Sequence, residues 1–100
     1  MVEKITNNDM SKALNAKVAV VDFSATWCGP CQMLAPLLEE LSQELTDVKF
    51  FNADTDENTE LAIRNGISNI PALLLLKDGQ VVDRHIGFAP KQQLKDWINK

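Results

Sequence analysis

Val18-Ala19-Val20-Val21-Asp22-Phe23-Ser24-Ala25-Thr26-Trp27-Cys28-Gly29-Pro30-Cys31 joins a β-branched apolar run to the only two cysteines in the chain. The run Val18 to Val21 lacks polar alternation, which predicts a strand covered on both faces at the centre of a sheet. The cysteines stand three residues apart around a Gly-Pro turn able to open a helix. Helix neighbours at that spacing have Cβ atoms about 5 to 6 Å apart, and a disulfide wants roughly 3.5 to 4.5 Å. A small local adjustment closes the bridge, so the pair reads as a dithiol switching between thiols and disulfide. Cys28 falls at the helix entrance and Cys31 one turn inside. Unpaired amides and the positive end of the helix dipole favour a thiolate at Cys28. Cys28 is therefore the expected nucleophile.

Composition narrows the context. One hundred residues with 45% hydrophobic content suffice for one core, so a single domain spanning 1-100 is expected. A net charge of -4 and a pI near 4.8, with no Lys/Arg cluster, argue against nucleic acid as a partner. Met1 to Lys4 leads straight into polar sequence, and the apolar run Ala72 to Leu76 is far too short to span a bilayer. The expectation is a cytoplasmic protein with no membrane partner. Structural disulfides are rare in that compartment, leaving redox or metal roles for the cysteine pair. Structural zinc takes four protein ligands; two cysteines and the lone His85 cannot supply them, so no metal is expected.

Outward from the opening stretch, Val2 to Ile5 alternates as a short strand. Asn7, Asn8 and Asp9 offer caps for a helix burying Met10, Ala13 and Leu14. From Pro30 onward, Leu34, Leu37, Leu38, Leu41 and Leu45 recur at helical spacing opposite Glu39, Glu40 and Glu44, predicting the longest helix with a kink at Pro36. Val48 to Ala53 reads as a strand, and Glu57 to Asn65 as a helix closed by Gly66. Ala72 to Lys77 and Gln80 to Ile86 flank Asp78-Gly79, a hairpin signal. Pro90 starts a last helix burying Leu94, Trp97 and Ile98. The order βαβαβαββα implies an α/β protein: a three-layer α/β/α sandwich with a five-stranded mixed sheet, four helices, and its site beyond the carboxyl end of the central strand.

Two further groups draw attention. Asp22 is a carboxylate near the end of an apolar strand, and period two puts it on the face of Val18 and Val20; burial there would raise its pKa toward neutrality. His85, in a hairpin strand, reads as solvated and is assigned no chemistry. Asp54, Asp56, Glu57 and Glu60 gather at a strand-to-helix junction, where helix N-terminal electrostatics accounts for them without a metal.

Val21-Asp22-Phe23, Trp27 to Cys31, Pro36, Ile70-Pro71, Asp78-Gly79 and Ile86-Gly87, in this order, resemble the thioredoxin family across essentially the entire chain. The resemblance implies a monomeric protein-disulfide reductase without a prosthetic group. Electrons would reach it from a thioredoxin reductase, NADPH- or ferredoxin-linked, and pass to disulfide-containing client proteins. It implies that Cys28 attacks, Cys31 resolves, and Asp22 assists Cys31. X-Pro bonds are mostly trans; the resemblance instead implies a cis proline at Pro71, with the Ile70 backbone pairing with substrate. Trp27, Gly29, Pro30, Ile86 and Gly87 would complete the docking surface, although residue chemistry alone allows Trp27 a core role.

The chain departs from the family pattern at Asn52, where a lysine is common, and at Ser24, Gln32 and Ala72. Without that lysine, desolvation would dominate the Asp22 pKa, with Asn52 supplying a hydrogen bond. Two alternatives stand beside reduction. One is a disulfide oxidase or isomerase using the same exchange; the other is a redox-silent binding module or assembly subunit that uses the docking face.

Overall fold

The computed structural model describes residues 1–100 and places β2 (Val18–Ser24) in the middle of the sheet. Its residues Ala19 to Phe23 are all buried, because this strand has a helical layer on each side and a neighbouring strand on each edge. β1 (Val2–Lys4) and β3 (Lys49–Asp54) lie to one side and run parallel to it. β4 (Ala72–Lys77) and β5 (Gln80–Ile86) lie to the other side, giving the order β1-β3-β2-β4-β5. β4 is antiparallel to both neighbours. Between β4 and β5, Asp78 and Gly79 take φ of 52° and 82°, as a two-residue turn of mirror-image type requires. Near its middle the hairpin slips register between Leu75 and Leu76.

Alternation along the strands sorts the core into two layers. Ala19, Val21, Phe23, Phe51, Leu74 and Leu76 pack with Met10, Ala13 and Leu61, the side of α1 (Ser11–Asn15) and α3 (Thr59–Arg64). Val20, Phe50, Leu73 and Leu75 pack with Leu34, Leu38, Leu41, Leu94 and Ile98, the side of α2 (Gly29–Glu44) and α4 (Lys91–Ile98). The expected element order and layering are observed, and α2 is the longest helix, running through Pro36.

Three expectations need correction. Leu14 is 45% exposed, because α1 has only five residues and its inward positions are taken by Met10 and Ala13. α3 starts at Thr59 rather than Glu57, since Asp54 Oδ1 accepts the Asp56 and Glu57 amides and holds those residues in a turn. His85 is half-buried: its ring lies 5.7 Å from that of Trp97, and its Nε2 is enclosed without a partner.

Asn58, which the sequence pattern did not single out, is fully buried. Its Nδ2 donates to the Ile5 and Asp54 carbonyls at 3.1 Å each, and its Oδ1 accepts the Asn8 amide at 2.9 Å. This one side chain thereby ties the loop after β1 to the loop after β3.

Candidate active site

Topology brings four segments together at one end of the sheet. The carboxyl end of parallel β2 leads into Ala25 to Cys28. Antiparallel β4 begins at the same end, with Phe23 opposite Ala72, so Pro71 arrives there; Ala72 also pairs with Ile86, which brings Gly87 alongside. The Gly87 amide donates to the Pro71 carbonyl at 2.8 Å. The Ile70-Pro71 peptide is cis, as the family resemblance implied and the general X-Pro preference did not.

Cys28 is the N-cap of α2, and Pro30 occupies the first turn where no donor is needed. The Cys31 amide donates to Cys28 Sγ at 3.3 Å, so one unpaired donor of the helix start is turned onto the sulfur. The two cysteines are joined as a disulfide with Cα atoms 5.3 Å apart, inside the usual range for such bridges. Cys28 is 6% exposed and Cys31 2%, so both residues are buried, the first slightly less, in a small apolar cluster with Ala25 and Ile70. The Ile70 carbonyl oxygen lies 4.0 Å from Cys28 Sγ.

Around the disulfide, Trp27 is 71% exposed, which removes the core alternative for it; its Nε1 donates to Asp56 Oδ2 at 3.0 Å. Gly29, Pro30 and Ile86 are also exposed, while Ile70 and Gly87 are half-buried and Pro71 buried. Phe88, which sequence reasoning passed over, adds an exposed apolar ring directly after Gly87. An apolar residue between Gly87 and Pro90, outside any periodic element, was the available signal. Of the acidic residues near β3, only Glu60 falls in the first turn of α3; Asp54 and Asp56 instead bond to loop amides and to Trp27.

Asp22 lies beneath this surface, 2% exposed. Desolvation pushes its carboxyl up to about 7, while a hydrogen bond from Asn52 acts in the opposite direction. Asn52 Nδ2 is 3.1 Å from Asp22 Oδ2 and 2.8 Å from Ser24 Oγ. Asp22 lines a cavity of about 190 Å³ with Val2, Lys4, Ala35, Leu38, Glu39 and Asn52. A larger cleft of about 470 Å³, lined by Cys31, Ser24 and Gln32 among others, shares Lys4, Ala35 and Asn52 with it. Gln32 Nε2 donates to the Thr26 carbonyl at 3.2 Å, bracing the loop before Cys28. No group of three or more His, Cys, Asp or Glu side chains is gathered as a metal site requires, and no helix is long and apolar enough to cross a membrane.

A dithiol at a helix start, beside a cis proline, above a buried carboxyl of near-neutral pKa, defines a protein of the dithiol-disulfide exchange class. The thioredoxin family model matches residues 1–100. Thioredoxin of Bacillus subtilis (strain 168) is 47% identical over 100 residues, covering 99% of this chain and 96% of the relative. Thioredoxin of Listeria monocytogenes is 44% identical over 101 residues, covering 100% and 98%. A solved chain aligns with a TM-score of 0.86 at 34% identity, covering 98% of this chain and 93% of that one; its structure concerns the thiol resolving mechanism of yeast mitochondrial 1-Cys peroxiredoxin via glutathione and thioredoxin systems. The chain belongs to the thioredoxin family, whose members are protein-disulfide oxidoreductases, and its Cys28-Cys31 pair serves thioredoxin-type exchange.

Proposed function

We propose that this chain works as a reductant of protein disulfides, as a single-domain monomer in the cytoplasm. The observation that carries the reading is the placement of Cys28 at the start of α2, its sulfur facing the Cys31 amide and rimmed by exposed apolar residues. As a thiolate, Cys28 attacks a client disulfide; one client sulfur leaves and the other stays bonded to Cys28. Cys31 gives its proton to Asp22 and attacks Cys28 Sγ. The Cys28-client bond breaks, the internal disulfide forms, and the client leaves as a dithiol once both of its thiolates have taken up a proton, one originating on Cys31 and the other from solvent. The second step is intramolecular, so it benefits from a high effective concentration.

Trp27, Gly29, Pro30, Ile70, Pro71, Ile86 and Gly87 form the docking surface, and an extended client segment pairs with the Ile70 backbone. Apolar exposure around the sulfur supports this assignment, with Phe88 extending the rim. No prosthetic group takes part, since the electrons move between sulfur atoms. A thioredoxin reductase, drawing on NADPH or ferredoxin, returns the chain to the dithiol.

The test is trapping. Cys31→Ser removes the resolving sulfur, so incubation with oxidised cell proteins should leave clients bound through Cys28 and releasable by dithiothreitol. Absence of trapped proteins would refute the assignment.

A further inference from the structure

Asn52 sits opposite Asp22 in the register of β2 with β3, and Ser24 follows two residues along the same strand face. Its amide nitrogen has three acceptors within reach: Ser24 Oγ at 2.8 Å, Asp22 Oδ2 at 3.1 Å and the Asp22 backbone oxygen at 3.3 Å. A carboxylate and a carbonyl only accept, so the nitrogen end of Asn52 must face them. Two amide hydrogens then serve the carboxylate side and the serine hydroxyl. Ser24 holds the amide plane from one side while Asp22 holds it from the other. Asp22 Oδ1, by contrast, is buried and has no partner.

We propose that Ser24 and Asn52 are positioning residues: a clamp that pins Asp22 Oδ2 and leaves Oδ1 as the atom that takes the Cys31 proton. This rests on the reading of Asp22 as the acceptor in the resolving step. A donor held on Oδ2 favours that oxygen as the carbonyl-type acceptor, so the neutral carboxyl carries its proton on the unpartnered Oδ1. The cavity beside Asp22 shares Asn52 and Ala35 with the cleft beside Cys31, and Ala35 stands one helical turn after Cys31. The charged residues that share the lining of the Asp22 cavity are Lys4 from β1 and Glu39 from α2, of opposite sign; β3 contributes Asn52, and Leu73 of β4 is the apolar residue opposite Asp22.

The clamp favours the ionised form, so removing it has a defined sign. A hydrogen bond to a charged group is worth roughly one to two pKa units. Asn52→Ala should raise the Asp22 titration, followed by carboxyl carbon-13 NMR in the oxidised protein, by about one unit or more. Ser24→Ala should raise it by less, and Ser24→Thr, which keeps the hydroxyl, should return it to the starting value. The pH profile of mixed-disulfide lifetime, read by acid quench and mass spectrometry, should move upward with each titration.

Unchanged titrations and profiles in Asn52→Ala and Ser24→Ala, or a downward shift, would overturn the clamp. Asn52→Gln provides a second displacement of the amide if Asn52→Ala does not fold. Asp22→Asn separates the two layers of the argument. If Asp22→Asn lengthens the mixed-disulfide lifetime while the clamp variants change nothing, only the clamp fails. If Asp22→Asn leaves that lifetime unchanged, the proton-acceptor reading fails beneath it.

Discussion

Asp22→Asn should stabilise the oxidised protein above neutral pH and lose that advantage in acid. Burial holds the native carboxyl at about 7 against an ordinary value of 3.8. Between those two pH values the native state keeps a proton that the unfolded chain has released, so wild-type stability falls as pH rises. The contribution is complete below about 3.8, declines through the window, and is flat above about 7. A gap of roughly three units at about 1.4 kcal/mol each amounts to about 4 kcal/mol. The variant has no such proton, so the difference between the two proteins carries this dependence while the other carboxylates cancel. Urea unfolding at unit intervals from pH 4 to pH 8 should show the variant gaining on the wild type at about 1.4 kcal/mol per unit, then levelling off. The new amide needs its own hydrogen-bond partners, which moves the whole difference curve vertically without changing its slope. Parallel curves, with no change of difference between pH 4 and pH 8, would refute a buried carboxyl titrating near neutrality.

Two structural predictions accompany this one. Gly79 has φ of +82°, and an added Cβ would meet the Leu14 carbonyl oxygen at 2.9 Å, whereas Gly66 at φ +67° has only the Arg84 guanidinium 3.9 Å away. Gly79→Ala should therefore cost about 2 kcal/mol or more in urea unfolding, and Gly66→Ala about 1 kcal/mol, the ordinary left-handed penalty; equal costs would contradict the steric argument. Asn58→Ala strips partners from two carbonyls and one amide in a fully buried position. A loss of about 3 kcal/mol is expected from the same measurement, and a change below about 1 kcal/mol would show that the bridge between the two loops is dispensable.

What was legible in the chain was local. The continuous apolar run of β2, the leucine spacing of α2 and the Asp78-Gly79 turn each specify an element through neighbours a few residues away, and each was read correctly. Cys28 and Cys31 were legible for the same reason, since three residues of spacing set their geometry. Leu14 was misjudged because a helix of under two turns has little room on its inner face, and Met10 and Ala13 already fill it. Asn58 was missed because two of its partners, Ile5 and Asn8, lie 53 and 50 residues away. Ser24 and Asn52 could be seen only as departures from a family pattern; their contact arises from the register of β2 on β3, which no local rule supplies. His85 was read as solvated because its cover, Trp97, comes from the last helix.

The cis bond before Pro71 illustrates a different limit. General X-Pro statistics favour trans, and nothing in the adjoining residues overturns them. What the topology accounts for is the place of Pro71: β2, β4 and β5 deliver Phe23, Ala72 and Ile86 to one row, and the Pro71 carbonyl accepts the Gly87 amide. The docking rim follows from the same convergence of strand ends.

The proposed mechanism requires two sulfurs that differ in kind, an ionised and reachable one at position 28 and a protonated, enclosed one at position 31. Limiting iodoacetamide added to the reduced protein between pH 5 and pH 9, with peptide mapping of the label, tests it directly. Labelling should fall first on Cys28, with a rate midpoint below the free-thiol value of about 8.5, while Cys31 lags throughout. Equal rates at both positions, rising together near the free-thiol value, would contradict the account.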